Sequence, residues 1–293
     1  MSSLASLYIL FRFTHFCALM SLAAAATMTT LLAPAHYRGE LSQRLMPLQR
    51  IATGGTLLSA LLLLAAQTGL MGDGWQDILD KETWLAVLQT RFGRVWQYQL
   101  AWAVLGCLAL RLRGSRRQYG LLLSALAQLG GLAFIGHAAM LDGWEGVFQR
   151  SNQVVHLLAG AFWAGGLLPV LLLMRAARSG PQRRAAISTM MSFSRYGHLA
   201  VALVLVSGGV NALLLLGWPP VSFRLYSQLL VVKTLLVLVM VAIALFNRYW
   251  LVPHFQRSGG AAQRHFVTST LLELILAAAV IAVVSVFATL EPA

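Results

Sequence analysis

The chain has 293 residues, of which 58% are hydrophobic and only 11% are charged, and its mean hydropathy is +0.72. A soluble protein of this size needs a polar surface, which 22 basic and 9 acidic residues are too few to form. The net charge of +13 does not indicate nucleic-acid binding, because the arginines lie in short runs between apolar segments. The composition therefore predicts an integral membrane protein whose solvent is the lipid bilayer.

Eight apolar runs approach the roughly 20 residues that a helix needs to cross the hydrocarbon layer. The loops between them are too short to form extramembrane domains. We therefore predict an all-α fold, a polytopic helical bundle of about eight transmembrane helices that forms a single domain over residues 1–293. The predicted spans are 4–32, 51–71, 95–112, 119–140, 152–174, 196–216, 228–250 and 268–290.

The basic residues predict the orientation of this bundle. Most of the 22 Lys and Arg residues lie in the loops after odd-numbered spans, within 38–50, 111–117, 175–195 and 248–264. Because loops rich in Lys and Arg remain in the cytoplasm, both termini are expected on the outer side.

Histidines inside the predicted spans are the first candidate site residues, because ionisable groups in hydrocarbon are costly. His137 and His156 lie at nearly the same depth near the outer ends of the fourth and fifth spans, which a short loop joins. Two imidazoles at one level on adjacent helices can share a metal ion. His15 is a third candidate ligand, with Arg12 on the same helix face. The alternative is that these histidines are structural and hydrogen-bonded.

Two methionines extend this candidate metal site. Met140 follows His137 by one helical turn and Met71 ends the second span, so each thioether is a candidate soft ligand. The supporting residues, which share a helix face or a depth with the candidate ligands, are Asn152, Trp163, Asn211 and Lys233.

A second group of polar residues is predicted near the inner surface. Lys233 and Glu273 differ in depth by roughly 15 Å, which argues against an ion pair between them. Glu273 lies at the level of His198. We expect either a structural hydrogen bond between Glu273 and His198 or an inner-side relay formed by both.

Several stretches together resemble a known family over essentially the whole chain. They are RFTHF, QTGLMGDGW, GHA, NQVVHLLAGAFWAGGLLPV, RYGHLAV, SGGVNALL, LLVVKTLLVLVMVAIALFNRYWLVP and ATLEP. The chain is similar to the copper-resistance D (CopD) family of bacterial inner-membrane proteins, in the branch that lacks a fused periplasmic domain.

The resemblance implies a protein that is not an enzyme and that handles a copper ion, taken as Cu(I). Copper would be accepted from the periplasm by His15, His137 and His156 and moved toward the cytoplasm. A separate CopC-type periplasmic copper carrier is the implied partner. The chain has no Walker motif, which argues against ATP-driven pumping.

Two other functions remain open at this point. The first is electron transfer by haem b with two histidine ligands. The second is a metal-free membrane scaffold or sensor subunit.

Overall fold

The computed structural model describes residues 3–136, 140–178, 181–217, 225–254, 260–287 and 289–290. These residues are predominantly helical and none of them forms a β-strand, which confirms the all-α prediction. Two π-helices extend the first and ninth α-helices, at Met28–Leu32 and Asn247–Leu251. The α-helices are α1 (Ser3–Thr27), α2 (Arg38–Arg44), α3 (Met46–Met71), α4 (Lys81–Gln89), α5 (Arg91–Ala109), α6 (Gly114–Gly131), α7 (Gly143–Arg178), α8 (Arg183–Leu216), α9 (Leu225–Phe246), α10 (Val252–His254) and α11 (Gly260–Phe287).

Six helical segments within the described ranges are long and apolar enough to cross a membrane. They are Ser3–Leu32, Met46–Met71, Gly143–Ala177, Arg183–Leu216, Leu225–His254 and Gly260–Phe287. Helices α5 and α6 form as predicted but are absent from this set, since they are shorter and carry several arginines and glutamines. Six spans are therefore supported by length and composition, whereas the sequence predicted eight.

The fourth predicted span, 119–140, is wrong at its outer end. Helix α6 stops at Gly131, a 3₁₀ turn covers Leu132–Phe134, and Ile135 is extended. Gly136 then adopts a positive φ of 64°, a conformation that side chains other than glycine rarely tolerate. Met140 is consequently outside any helix.

Helix α1 is central to the packing, with contacts to α3, α6, α7 and α11. The run Ala23–Ala26 is buried. Small residues on neighbouring helices face α1: a Cβ on Gly55 would lie 3.3 Å from Ala18 Cβ, and one on Gly165 would lie 3.3 Å from Ala24 Cβ. Small residues allow helix backbones to approach closely, which is how α3 and α7 both pack tightly on α1.

Helices α5 and α6 form an antiparallel hairpin that packs beside α3. Gln99 Nε2 donates to the Gln128 carbonyl at 2.7 Å, and Ser124 Oγ donates to the Trp102 carbonyl at 2.7 Å. Trp96 Nε1 donates to the Ala60 carbonyl of α3, also at 2.7 Å. The two shorter helices therefore belong to the bundle and lie alongside a long apolar helix.

Candidate metal site

His15 is the more deeply buried of the two candidate histidines that the structure describes. It lies on α1, 1% exposed, and its Nδ1 is 2.9 Å from Ser59 Oγ on α3. Its ring lies 5.8 Å from the Trp96 ring of α5. Three helices therefore meet at this imidazole.

The hydrogen bonds of Ser59 determine which nitrogen of His15 is free. Ser59 Oγ donates its single proton to the Gly55 carbonyl at 2.5 Å, as serines within helices often do. The contact with His15 is then donated by the imidazole Nδ1–H. The lone pair remains on Nε2, which is buried and has no hydrogen-bond partner among the described residues. Orientation by a hydrogen bond at one nitrogen, with the other free, is typical of metal-binding histidines.

His156 on α7 repeats this arrangement with α8. Its Nδ1 is 2.9 Å from Ser207 Oγ, which itself donates to the Leu203 carbonyl at 2.5 Å. The same reasoning assigns Nδ1–H as donor and leaves the lone pair on Nε2. Gly208 gives the ring its space, because a Cβ there would lie 3.4 Å from His156 Cε1.

Amide side chains connect α7 and α8 around His156. Asn152 Nδ2 donates to the Ser207 carbonyl at 2.9 Å and to Asn211 Oδ1 at 2.8 Å. Asn211 Nδ2 donates to Gln153 Oε1 at 2.8 Å. We call Asn152, Gln153, His156, Ser207 and Asn211 the α7–α8 polar cluster.

Lys233 on α9 lies close enough to the α7–α8 polar cluster to interact electrostatically with His156. The structure therefore gathers three predicted supporting residues, Asn152, Asn211 and Lys233, around this histidine. Trp163 does not join them. It is 5% exposed and packs in an apolar cluster with Met240 and Ala277, farther along α7.

The two described histidines lie at similar depth but face different helices. Gly165 of α7 packs directly against the backbone of α1 at Met20. These two residues therefore lie at the same level along the bundle and serve as a common reference point for α1 and α7. Counting residues along each helix from this contact, five to His15 and nine to His156, places the imidazoles within about 6 Å of one level. His15 nevertheless bonds to α3, whereas His156 bonds to α8. The described ranges hold no group of three or more His, Cys, Asp or Glu side chains arranged to bind a metal.

The two candidate methionine ligands are not brought to either imidazole. His137 lies outside the described residues. Met140 is 58% exposed, and Met71 is 49% exposed at the end of α3. Met71 lies about 18 Å along α3 from Ser59, which is too far for its sulfur to reach a metal bound at His15.

Arg12 lies one turn from His15, as the sequence predicts. Its guanidinium carbon lies 5.3 Å from the centre of the Phe16 ring, a cation–π contact. Its Nε is buried and has no hydrogen-bond partner among the described residues.

The predicted hydrogen bond between Glu273 and His198 is wrong. Glu273 Oε2 accepts from Asn247 Nδ2 at 2.9 Å, while His198 Nε2 contacts the Tyr249 hydroxyl at 3.0 Å. The π-helix Asn247–Leu251 supplies both partners and lies between these two side chains. Glu273 and His198 therefore do not bond to each other, although the sequence places them at the same depth.

Sequence reasoning missed the two serines and Asn247. A serine within an apolar stretch of its helix was the available signal at Ser59 and at Ser207, because its hydroxyl can orient a neighbouring imidazole. Which helix carries the histidine that each serine contacts can be determined only from the tertiary structure.

Comparison with known proteins gives two family matches and several relatives. Residues 1–147 match "Copper resistance protein D-like, N-terminal domain", and residues 187–287 match "Copper resistance protein D". The chain is 41% identical over 289 residues to the inner membrane protein YebZ of Escherichia coli (strain K12), covering 99% of each chain. It is 29% identical to copper resistance protein D of Pseudomonas syringae pv. tomato, over 81% of each chain.

A more distant relative is the copper transport protein CutJ of Bacillus subtilis (strain 168), with 29% identity over 78% of this chain and 44% of that protein. No solved structure matches the chain. The Escherichia coli relative and the apolar helices together establish an inner-membrane location. With matches that span both halves of the bundle, the chain belongs to the copper resistance protein D family.

Proposed function

We propose that this protein handles copper, accepting the ion as cargo on the periplasmic side and moving it toward the cytoplasm. The names of its family and of two relatives refer to copper resistance or copper transport, which supports copper as the ion and a transport role in place of an enzymatic one. The observation that carries the proposal is the pair of serine-held imidazoles, His15 and His156, each with Nε2 left as the free ligand atom. His137 is the third ligand in this proposal.

In the proposed topology the chain forms one domain that crosses the membrane eight times, with both termini in the periplasm. The side-by-side packing of α5 and α6 along α3 supports counting these two helices as spans. The excess of Lys and Arg in the loops after odd-numbered spans supports the orientation.

Cu(I) is the oxidation state that suits these sites better. The Born cost of placing an ion in hydrocarbon rises with the square of its charge, so a monovalent ion costs roughly a quarter as much as a divalent one. Arg12 and Lys233 interact electrostatically with His15 and His156 and disfavour additional positive charge there. This repulsion weakens binding and favours release of the ion, which suits transfer better than storage.

A CopC-type periplasmic carrier is the proposed donor of copper. The segment between α3 and α5 is the outer surface with most acidic residues, and Asp80 caps α4 there by accepting from the Thr83 backbone at 2.8 Å. Trp75 in the same segment is 54% exposed. An acidic surface with an exposed aromatic residue is suited to hold a protein partner.

The decisive experiment measures copper bound to the purified protein under reducing conditions. We expect the His15→Ala/His156→Ala double variant to lose most of the copper that the wild type binds, and to lose copper uptake in cells. The matched control is His36→Ala, which removes an exposed histidine outside the predicted spans. Unchanged copper binding in the double variant would overturn the site assignment.

An optical spectrum of the same samples tests the haem alternative. Haem b needs two imidazoles facing one cavity, whereas His15 and His156 bond to different helices. We therefore expect no Soret band. A Soret band that disappears in the double variant would replace copper handling with electron transfer.

A further inference from the structure

Glu273 is a carboxyl group buried within the helix bundle. It lies near the middle of α11 and is 3% exposed. Its Oε2 accepts a hydrogen bond from Asn247 Nδ2 at 2.9 Å. Its Oε1 is also buried, but has no hydrogen-bond partner among the described residues.

Asn247 is held so that it presents its NH₂ group to this carboxyl. It is the first residue of the π-helix Asn247–Leu251, where the chain departs from the α-helical hydrogen-bond pattern. Ser269 Oγ lies 2.5 Å from Asn247 Oδ1 and donates to it, so the amide oxygen is occupied. Short π-helices in membrane and soluble proteins are frequent at functional sites.

Among the residues that the structure describes, no positively charged side chain forms an ion pair with Glu273. The single ion pair between described residues joins Arg44 to Glu40 on α2. The helices and turns packed against α11 carry other titratable groups, but none forms an ion pair with Glu273. They include Arg12, His15 and Cys17 on α1, His156 and Arg175 on α7, Lys233 on α9, Arg248 and Tyr249 on the π-helix, His254 on α10, and Arg264 and His265 on α11 itself.

An ionised carboxylate in such a place would be strongly unfavourable, because the described part of the bundle gives it one neutral donor and no counter-charge. We infer that Glu273 holds a proton, which is displaced when a copper ion moves inward through the bundle. In this exchange the O–H bond of the carboxyl breaks and the proton leaves to water. The carboxylate then offsets the positive charge of the ion, so the net charge within the membrane is unchanged.

In this proposal the copper ion moves from His156 to Glu273 along one face of α9. Lys233, Met240 and Asn247 are spaced by two helical turns and therefore share that face. Met240 is 2% exposed and packs with Trp163 and Ala277, and Ala277 lies one turn from Glu273 on α11. A buried thioether, a soft ligand for Cu(I), thus lies between the imidazole and the carboxyl. Carboxylate oxygen is a poor ligand for Cu(I). The Glu273 carboxylate therefore stabilises the passing ion by electrostatic attraction and holds it only transiently.

This inference rests on the proposed copper function, but its first test does not. Infrared difference spectra of the purified protein in lipid, recorded on changing the pH, report the carbonyl stretch of a protonated carboxyl. We expect that band at neutral pH in the wild type, its absence in Glu273→Gln, and its retention in the control Glu82→Gln, which alters an exposed carboxylate of α4. A wild-type spectrum without a band sensitive to Glu273→Gln would overturn the inference.

The second test adds Cu(I) to the same samples. Loss of the Glu273 band on copper addition supports the exchange, and an unchanged band in protein that binds copper overturns it. Protein that shows the band but binds no copper overturns the proposed copper function, and with it the exchange, while leaving the proton on Glu273 established. Carbodiimide labelling provides an independent readout, since these reagents modify protonated carboxyls in apolar surroundings. We expect labelling at Glu273 and protection by copper.

Discussion

His15 Nδ1 lies 2.9 Å from Ser59 Oγ, and the hydroxyl proton of Ser59 is donated to the Gly55 carbonyl. Together these bonds determine the tautomer of a histidine within the membrane and leave Nε2 free. His156 and Ser207 show the same relationship on another pair of helices.

Removing the hydroxyl of Ser59 should weaken copper binding. In Ser59→Ala the imidazole loses its orienting acceptor, and loss of such a partner typically lowers metal affinity by about 10- to 100-fold. Titration with a competing Cu(I) chelator measures the change. Thr234→Ala is the control, because Thr234 donates only to the Leu230 carbonyl in the same way and touches no histidine. Equal affinity in Ser59→Ala and wild type would show that Ser59 does not orient a ligand.

Filling the space beside His156 should displace its ring. A Cβ on Gly208 would lie 3.4 Å from His156 Cε1, whereas one on Gly209 would meet nothing within 4 Å. Gly208→Leu should therefore reduce bound copper and destabilise the protein by about 1–3 kcal/mol, a typical effect of overpacking. Gly209→Leu should change neither copper content nor thermal unfolding. Similar behaviour of the two variants would contradict the packing described for His156.

Removing the positive charge near His156 should strengthen copper binding. Lys233 interacts electrostatically with His156, and repulsion between like charges at an effective dielectric constant near 20 is on the order of 1 kcal/mol, which is about fivefold in affinity. Lys233→Met keeps the length of the side chain and removes this charge. Lys81→Met, at the exposed start of α4, is the control. A weaker affinity in Lys233→Met would indicate that Lys233 supports the ion, contrary to the electrostatic reasoning.

The contact between α1 and α7 should be essential for stability. A Cβ on Gly165 would collide with the carbonyl group of Met20, so α1 and α7 must move apart in Gly165→Leu. We expect a loss of about 1–3 kcal/mol in the free energy of unfolding, measured by thermal unfolding in detergent. Gly160→Leu is the matched control on the same helix, since nothing lies within 4 Å of its Cβ position. Wild-type stability in Gly165→Leu would show that the two helices do not pack this closely.

The helices and their approximate positions could be predicted from the sequence, because membrane-spanning helices depend on local apolar length. The first predicted span, 4–32, matches α1 with its π-helical extension, Ser3–Leu32. The fourth fails at its outer end, where the glycine at 136 turns the backbone. The apolar sequence continues past Gly131, but the α-helix ends there.

The partners of the site residues were less predictable. Helical spacing put His156 and Asn152 on one face, and both contact Ser207 of α8. Depth suggested the pair Glu273 and His198, yet the π-helix at Asn247 gives each of them a different partner. Depth along a helix does not determine rotation about its axis, and both are needed for contact.

The sequence by itself determined that this protein is a helical membrane protein with histidines inside the bundle, and its motifs indicated the family. These properties follow from residue type and spacing along single helices. Only the tertiary structure decided that His15 faces Ser59 of α3, that His156 faces Ser207 of α8, and that Glu273 Oε1 is buried without a hydrogen-bond partner among the described residues. Those contacts depend on how small residues let particular helices approach one another, which is a property of the packed bundle and of no single segment.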